Sequence, residues 1–198
     1  MAVSPTNAST AGFPGRARLV HALDEALQAS GATAVTNQVQ QVLSSLISSG
    51  DFKLPAVCYR PSPDHYQRHE LYGSERHGYS VVAMTWAPGQ GTALHDHAGL
   101  WCVEGVCAGA IEVEQYEPVE REAPDRFRFA RRQSHIARTG TAGSLIPPYE
   151  YHRISNTSES EPAVSLHIYE RTMTECHVFE PLGDGWYRRA ACELCFDD

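Results

Sequence analysis

Three histidines carry the first chemical signal of this chain: His95 and His97, one residue apart, and His152 far downstream. Residues two apart on a strand point to the same side, so His95 and His97 present two imidazoles to one space and Asp96 faces the other way. A third imidazole from a distant strand completes a facial set of three neutral nitrogen ligands, which suits zinc, iron, copper or nickel. Asp96 is read as orienting the loop rather than as a ligand. A second run, Ser165-Leu166-His167-Ile168-Tyr169, sets Ser165, His167 and Tyr169 on one strand face, a candidate hydrogen-bond relay.

These residues need a scaffold, and the sequence supplies a mostly β one. From Tyr79 onward, short β-rich runs alternate with Gly, Pro, Asp and Ser breaks: YSVVAMTW, LWCVEGVCAG, AIEVEQYEP, RFRFARR, GSLIPP, AVSLHIYE, CHVFEP and GWYRRAA. Eight to ten short strands with turn signals predict an all-β sandwich or barrel. The mixed-charge stretch 117–132 reads as a solvated hairpin edge. Ahead of the strands, residues 17–30 place Leu19, Leu23, Ala26 and Leu27 on one helical face. Residues 35–49 do the same with Val35, Val39, Val42, Leu43 and Leu46, and Gly50 supplies a stop. Two amphipathic helices, spanning about 17–50, are therefore expected to pack on the sheet.

Residues 1–15 (MAVSPTNASTAGFPG) lack a basic and apolar leader and read as a polar arm, with 16–198 as one domain. A net charge of −8 argues against nucleic acid as a partner, and no apolar run is long enough to span a membrane. The six cysteines, at 58, 102, 107, 176, 192 and 195, read as reduced thiols of a cytoplasmic protein, with Cys192-x-x-Cys195 as two ordinary cysteines.

The spacing resembles the cupin double motif. Gly89, His95, His97, Cys102 and Gly109 match the first half, and Pro147, His152 and Asn156 the second. Cupins usually carry a glutamate ligand where Cys102 stands and a glycine where Tyr149 stands. The resemblance implies a small β-barrel, or jelly roll, with a metal in its mouth. Three neutral imidazoles leave the charge of an Fe(II) ion without an offset, so an anionic ligand such as a thiolate is favoured. Three coordination positions stay open.

Over residues 59–180 the chain resembles the cysteine dioxygenase family of thiol dioxygenases. The resemblance rests on Tyr66-Gln67-Arg68, on Trp86 with Pro88-Gly89-Gln90, and on His95-Asp96-His97. It extends to His152-Arg153 with Asn156 and to Ser165-x-His167-x-Tyr169. It implies that His95, His97 and His152 bind non-haem Fe(II), and that Ser165 and His167 position the Tyr169 hydroxyl beside it. It implies Arg68, with Tyr66, as the substrate-carboxylate site, where a guanidinium fork suits the anion. Cys102 stands where some members form a thioether crosslink to the tyrosine, here Tyr169. The implied activity adds both atoms of O2 to the sulfur of a small thiol carboxylate, L-cysteine first, with 3-mercaptopropionate or mercaptosuccinate as alternatives. A non-enzymatic metal-binding cupin and a zinc or nickel isomerase or carbon dioxygenase are the competing classes.

Overall fold

Two helices open the computed structural model, which describes residues 12–197. Helix α1 (Arg16–Ala26) buries Leu19, Leu23 and Ala26. Helix α2 (Ala32–Ser49) buries Val35, Val39, Leu43 and Leu46. Gly50 ends α2 in the left-handed conformation, φ 69°. Its N–H reaches the Ile47 carbonyl at 3.2 Å, and the Asp51 N–H reaches that of Leu46 at 3.3 Å, so the last turn caps itself. The expected polar arm lies outside the described residues as far as residue 11. Beyond that the expectation fails: Phe13 is buried in the helix-side core and the Pro14 carbonyl accepts from the Lys53 N–H at 2.9 Å. A phenylalanine within reach of an apolar cluster gains more from burial than a loose arm retains in freedom.

Eleven strands follow: β1 (Gln67–Gly73), β2 (Ser80–Trp86), β3 (Leu94–His95), β4 (Cys102–Ala108), β5 (Ala110–Ala123), β6 (Arg126–Arg138), β7 (Ala142–Leu145), β8 (His152–Ser155), β9 (Ala163–Tyr169), β10 (Glu175–Gly183) and β11 (Trp186–Glu193). One sheet has the order β1-β2-β9-β4-β7; the other, β10-β11-β6-β5-β8-β3, closes on itself because β3 pairs with both β8 and β10. The expected all-β cupin barrel with two helices on it is the architecture the chain adopts. Among the described residues, no helix is long and apolar enough to cross a membrane.

The central strands of the first sheet sort chemistry from packing. Opposite pairs Cys102 with Tyr169, Glu104 with His167 and Val106 with Ser165 share one face, and Val82 with His167 and Met84 with Ser165 continue it across β2. That face looks into the barrel. The alternate residues, Val81, Ala83, Val103, Leu166 and Ile168, form a buried cluster with both helices. Gly105 lets α2 come this close: a Cβ there would lie 2.7 Å from Ile47 Cδ1 and 2.9 Å from Leu43 Cδ2. A side chain at 105 would therefore wedge the helix off the sheet.

Two elements depart from the sequence reading. The strands begin at β1, before Tyr79; this edge strand carries the buried Arg68 and His69, polar residues that hid it from an apolar-alternation search. The HxH strand is only two residues long, so His97 sits past its end in a turn closed by the Leu100 N–H to the His97 carbonyl at 3.0 Å. The stretch 117–132 is the outer part of the β5–β6 hairpin. It is laced with exposed ion pairs such as Arg128–Glu120 and Arg126–Glu122, each 2.7 Å. Such solvated pairs contribute little to stability.

Candidate metal centre

The barrel mouth brings the three histidines together. His95 on β3 faces His152 on β8 as a register partner, and their ring centroids lie 4.3 Å apart. His97 comes from the following turn, 5.4 Å from the His95 ring and 4.8 Å from the His152 ring. One ligand atom from each falls within 4.8 Å of the others. Two of the three Nδ1 atoms are anchored: His95 Nδ1 pairs with the Ala93 carbonyl at 3.1 Å and His152 Nδ1 with the Glu150 carbonyl at 2.9 Å, while His97 Nδ1 is buried without a partner. A ring that donates through Nδ1 leaves Nε2 as a lone-pair ligand. His152 Nε2 is buried with no hydrogen-bond partner, as a metal-facing nitrogen would be. Burial, reinforced at His97 and His152 by the neighbouring histidines, holds all three pKa values down. They are therefore neutral and ready to ligate at neutral pH. The donor set fits a metal ion.

Asp96 points away from the rings, as its strand parity predicts. Its carboxylate accepts from the Ala98 N–H at 3.0 Å, the His177 N–H at 2.9 Å and His177 Nδ1 at 3.0 Å. These bonds tie down the tight turn after His97, where Ala98 has a φ of 53° and Gly99 of 78°.

The expected Ser165–His167–Tyr169 run shares one face, but its hydrogen bonds run differently. Trp86 Nε1–H donates to Ser165 Oγ at 2.9 Å, and Ser165 Oγ lies 2.8 Å from His167 Nε2. Since the indole N–H can only donate, the serine oxygen accepts from it, and its second lone pair and its hydrogen face His167 Nε2. His167 Nδ1 bonds Cys102 Sγ at 3.9 Å and faces Glu104 Oε2 at 3.5 Å. Tyr169 lies nearly parallel to His167, with centroids 5.9 Å apart, and is the cross-strand partner of Cys102. The bonded relay is thus Trp86–Ser165–His167–Cys102, with Glu104 beside His167, and Tyr169 stands against His97 at 5.5 Å. Its hydroxyl pKa is pushed well up by burial, so it remains a proton donor.

Glu104 is the residue the sequence reading missed. It is 7% exposed, and its Oε2 lies 4.0 Å from His152 Nε2 with no hydrogen-bond partner. Burial pushes the pKa of its carboxyl up to about 8 and that of the His167 imidazole down to about 3. Both shifts run against ionisation, so the contact is between neutral groups rather than an ion pair. Strand parity held the clue: Glu104 is two residues from Cys102 and must share its inward face.

The cavity in front of the triad is closed by Arg68, Tyr66, Met173, Cys176, Cys192 and Leu194, among others. Tyr66 stacks on Trp86, with centroids 4.8 Å apart. Arg68 is 4% exposed; Nη1 donates to the Cys195 carbonyl at 3.1 Å and Nη2 to that of Met173 at 3.3 Å, while Nε has no partner. The backbone of Arg68 also exchanges hydrogen bonds with Asp197, at 2.7 and 2.8 Å. The C-terminal segment therefore clamps the arginine from outside. One N–H remains free on each guanidinium nitrogen.

Among curated proteins, cysteine dioxygenase type 1 of Bos taurus is 26% identical over 102 residues, covering 52% of this chain and 50% of the relative. That of Danio rerio is 25% identical over 118 residues, covering 59% and 58%. The chain thus spans about half the length of the curated relatives it matches. Among solved structures, a cupin 2 domain-containing protein from Halorhodospira halophila aligns with a TM-score of 0.42 at 20% identity, over 62% of this chain and 74% of that one. An oxalate oxidase with bound glycolate aligns with a TM-score of 0.44 at 18% identity, over 56% and 53%. The family model described as cysteine dioxygenase type I matches residues 16–181, which takes in both helices, the three histidines, Arg68 and the relay, and the chain belongs to that family.

Proposed function

We propose that this chain is a non-haem Fe(II)-dependent thiol dioxygenase, converting a small thiol carboxylate, with L-cysteine as the leading substrate, to its sulfinic acid. The observation that carries the reading is the meeting, in one cavity, of three neutral histidines with a buried guanidinium that has an unpartnered N–H. When bound by His95, His97 and His152, Fe(II) supplies the redox chemistry that moves both atoms of dioxygen to sulfur. The protein does the rest. The free N–H groups of Arg68 hold the carboxylate, and an ionic hydrogen bond of this kind contributes about 1.5–3 kcal/mol. Tyr66 closes the side of the cavity against Trp86. Tyr169 keeps its proton and donates it as a hydrogen bond toward the reacting atoms, while Ser165 and His167 fix the wall behind it. The apolar lining from Met84, Met173 and Leu194 excludes water. That Cys102 and Tyr169 are cross-strand partners supports a thioether crosslink between them, in which the thiol hydrogen and a ring hydrogen, with two electrons, pass to dioxygen as the C–S bond forms.

A specific observation favours a second substrate. Among the described residues, no Asp or Glu lines the cavity, so a substrate ammonium would find no counter-charge from them. That suits 3-mercaptopropionate or mercaptosuccinate, which lack the amine. The test is to load the protein anaerobically with Fe(II) and measure oxygen uptake with cysteine, 3-mercaptopropionate and mercaptosuccinate, identifying products by mass. A sulfinate from one of them supports the reading and names the substrate. Bound iron with no uptake on any thiol would sink it and leave a metal-binding cupin or another oxygenase.

A further inference from the structure

Cys176 and Cys192 sit directly opposite one another on β10 and β11. The sequence pairs Cys192 with Cys195, but residues three apart in an extended chain point to opposite sides, and the register gives Cys192 a different neighbour. Two pairs further along the ladder, the Leu194 N–H bonds the Thr174 carbonyl at 2.8 Å. Hydrogen-bonded pairs alternate along an antiparallel ladder, so Cys176 and Cys192 also occupy one, with a Cα separation of about 5.5 Å. That is the commonest separation for disulfide-bonded cysteines. Both thiols line the cavity in front of the three histidines. Cys176 is 4% exposed, whereas Cys192 is half-buried at the rim beside the C-terminal segment. Neither thiol has a role in the proposed reaction.

We propose that Cys176 and Cys192 form a reversible disulfide in the wall of the substrate cavity, made by exchange with small-molecule disulfides, and that it gates the site. Cys192, the accessible member, attacks one sulfur of a small disulfide RSSR as its thiolate. The RS–SR bond breaks, one RS⁻ leaves and takes up a proton, and a mixed disulfide remains on Cys192. Cys176 then loses its proton and attacks the Cys192 sulfur, releasing the second RSH. The protein dithiol gives up two electrons and two protons, and RSSR becomes two thiols. Burial pushes the Cys176 thiol up to about 12, which makes it slow toward outside reagents and dependent on the sulfur held beside it. The oxidant thus belongs to the same chemical class as the oxidised form of a thiol substrate. A high disulfide-to-thiol ratio closes the cavity, and a high thiol concentration reopens it. Only the gating consequence rests on the thiol dioxygenase reading; the disulfide itself does not.

The test treats the full-length protein with excess cystamine, blocks the remaining thiols with a maleimide under denaturing conditions, and maps peptides by mass without reduction. The expected result is a crosslinked peptide pair containing Cys176 and Cys192, formed equally in C195S, absent in C192S, and removed by dithiothreitol. In the Fe(II)-loaded wild type, oxygen uptake is lost on cystamine treatment and restored by dithiothreitol. In C192S the ratio of uptake before and after treatment stays at one, whatever its starting rate. Free Cys176 after treatment, or a Cys192–Cys195 link in its place, overturns the proposal. A mapped Cys176–Cys192 disulfide with unchanged uptake overturns the gating. A protein with no uptake under any condition speaks against the dioxygenase reading alone, because the peptide map is read independently of turnover.

Discussion

Replacing Glu104 by Gln in the metal-free protein should remove a large pH dependence of stability. The carboxyl is buried without a partner for Oε2, and its pKa stands at about 8 against an ordinary 4.5. A carboxyl whose folded pKa lies above its unfolded one binds its proton more tightly in the native state. Its contribution is therefore fully present below the unfolded value and is lost as pH rises through the folded value. Between the two values one proton is released on unfolding, so stability falls by about 1.4 kcal/mol per pH unit. Integrated from about pH 5 to pH 8, a single such group removes about 3 kcal/mol. Glutamine has nearly the same shape and does not titrate. Urea unfolding of both metal-free proteins across this range reads the difference directly, since every other titrating group is shared. The expected result is a stability gap between E104Q and wild type that moves by about 3 kcal/mol in favour of E104Q from pH 5 to pH 8. Parallel curves would refute the reasoning: Glu104 would then ionise as an ordinary carboxyl, and the neutral contact with His167 would be wrong.

Three further outcomes follow from the geometry. Arg68→Ala should raise KM for a thiol carboxylate roughly ten- to hundredfold, the loss of one ionic hydrogen-bonding site, while uptake on cysteamine, which lacks the carboxylate, changes little; equal effects on both would remove Arg68 from carboxylate binding. Tyr169→Phe should keep its metal content by elemental analysis yet turn over about tenfold or more slowly, since one hydrogen bond contributes about 1–2 kcal/mol; unchanged turnover removes Tyr169 from the reaction. Gly105→Leu should lower the urea midpoint by the equivalent of about 1–3 kcal/mol, because the new side chain meets Leu43 and Ile47 of α2; a midpoint at the wild-type value would mean the helix is not seated on the sheet as described.

Legibility in the sequence followed the range of the signal. The three histidines could be read because a period of two and a motif spacing determine which side chains converge, whatever the exact strand length. That is why the reading survived the finding that β3 is two residues long and His97 lies beyond it. The helices were legible for the same reason, since their apolar stripes are local and strong. β1 was not, because an edge strand whose buried residues include Arg68 and His69 violates the apolar alternation by which strands are found. Arg68 was reached through its YxR resemblance instead, and nothing in that resemblance gave the clamp by Cys195 and Asp197.

Register is where sequence reasoning stops, and the least legible features of the cavity all depend on it. Parity alone aligns Ser165, His167 and Tyr169, yet it cannot say which of them bond. That took the placement of β2, which brings the Trp86 indole to Ser165, and of β4, which sets Glu104 across from His167. The bonded relay therefore runs to Cys102, the cross-strand partner of Tyr169, with Glu104 beside His167. Glu104 returns an acid to the neighbourhood of a site whose motif had lost one at Cys102. It stands one pleat deeper, 3.5 Å from His167 Nδ1 and outside the triad. The Cys176–Cys192 pair depends on register more strongly still: it requires the β10–β11 ladder to be counted through the bulge at Pro181–Gly183. A slip of one residue there would place Cys192 on the outer face of the strand. Sequence spacing offers Cys195 as its partner, and only the folded ladder puts it against a thiol inside the cavity.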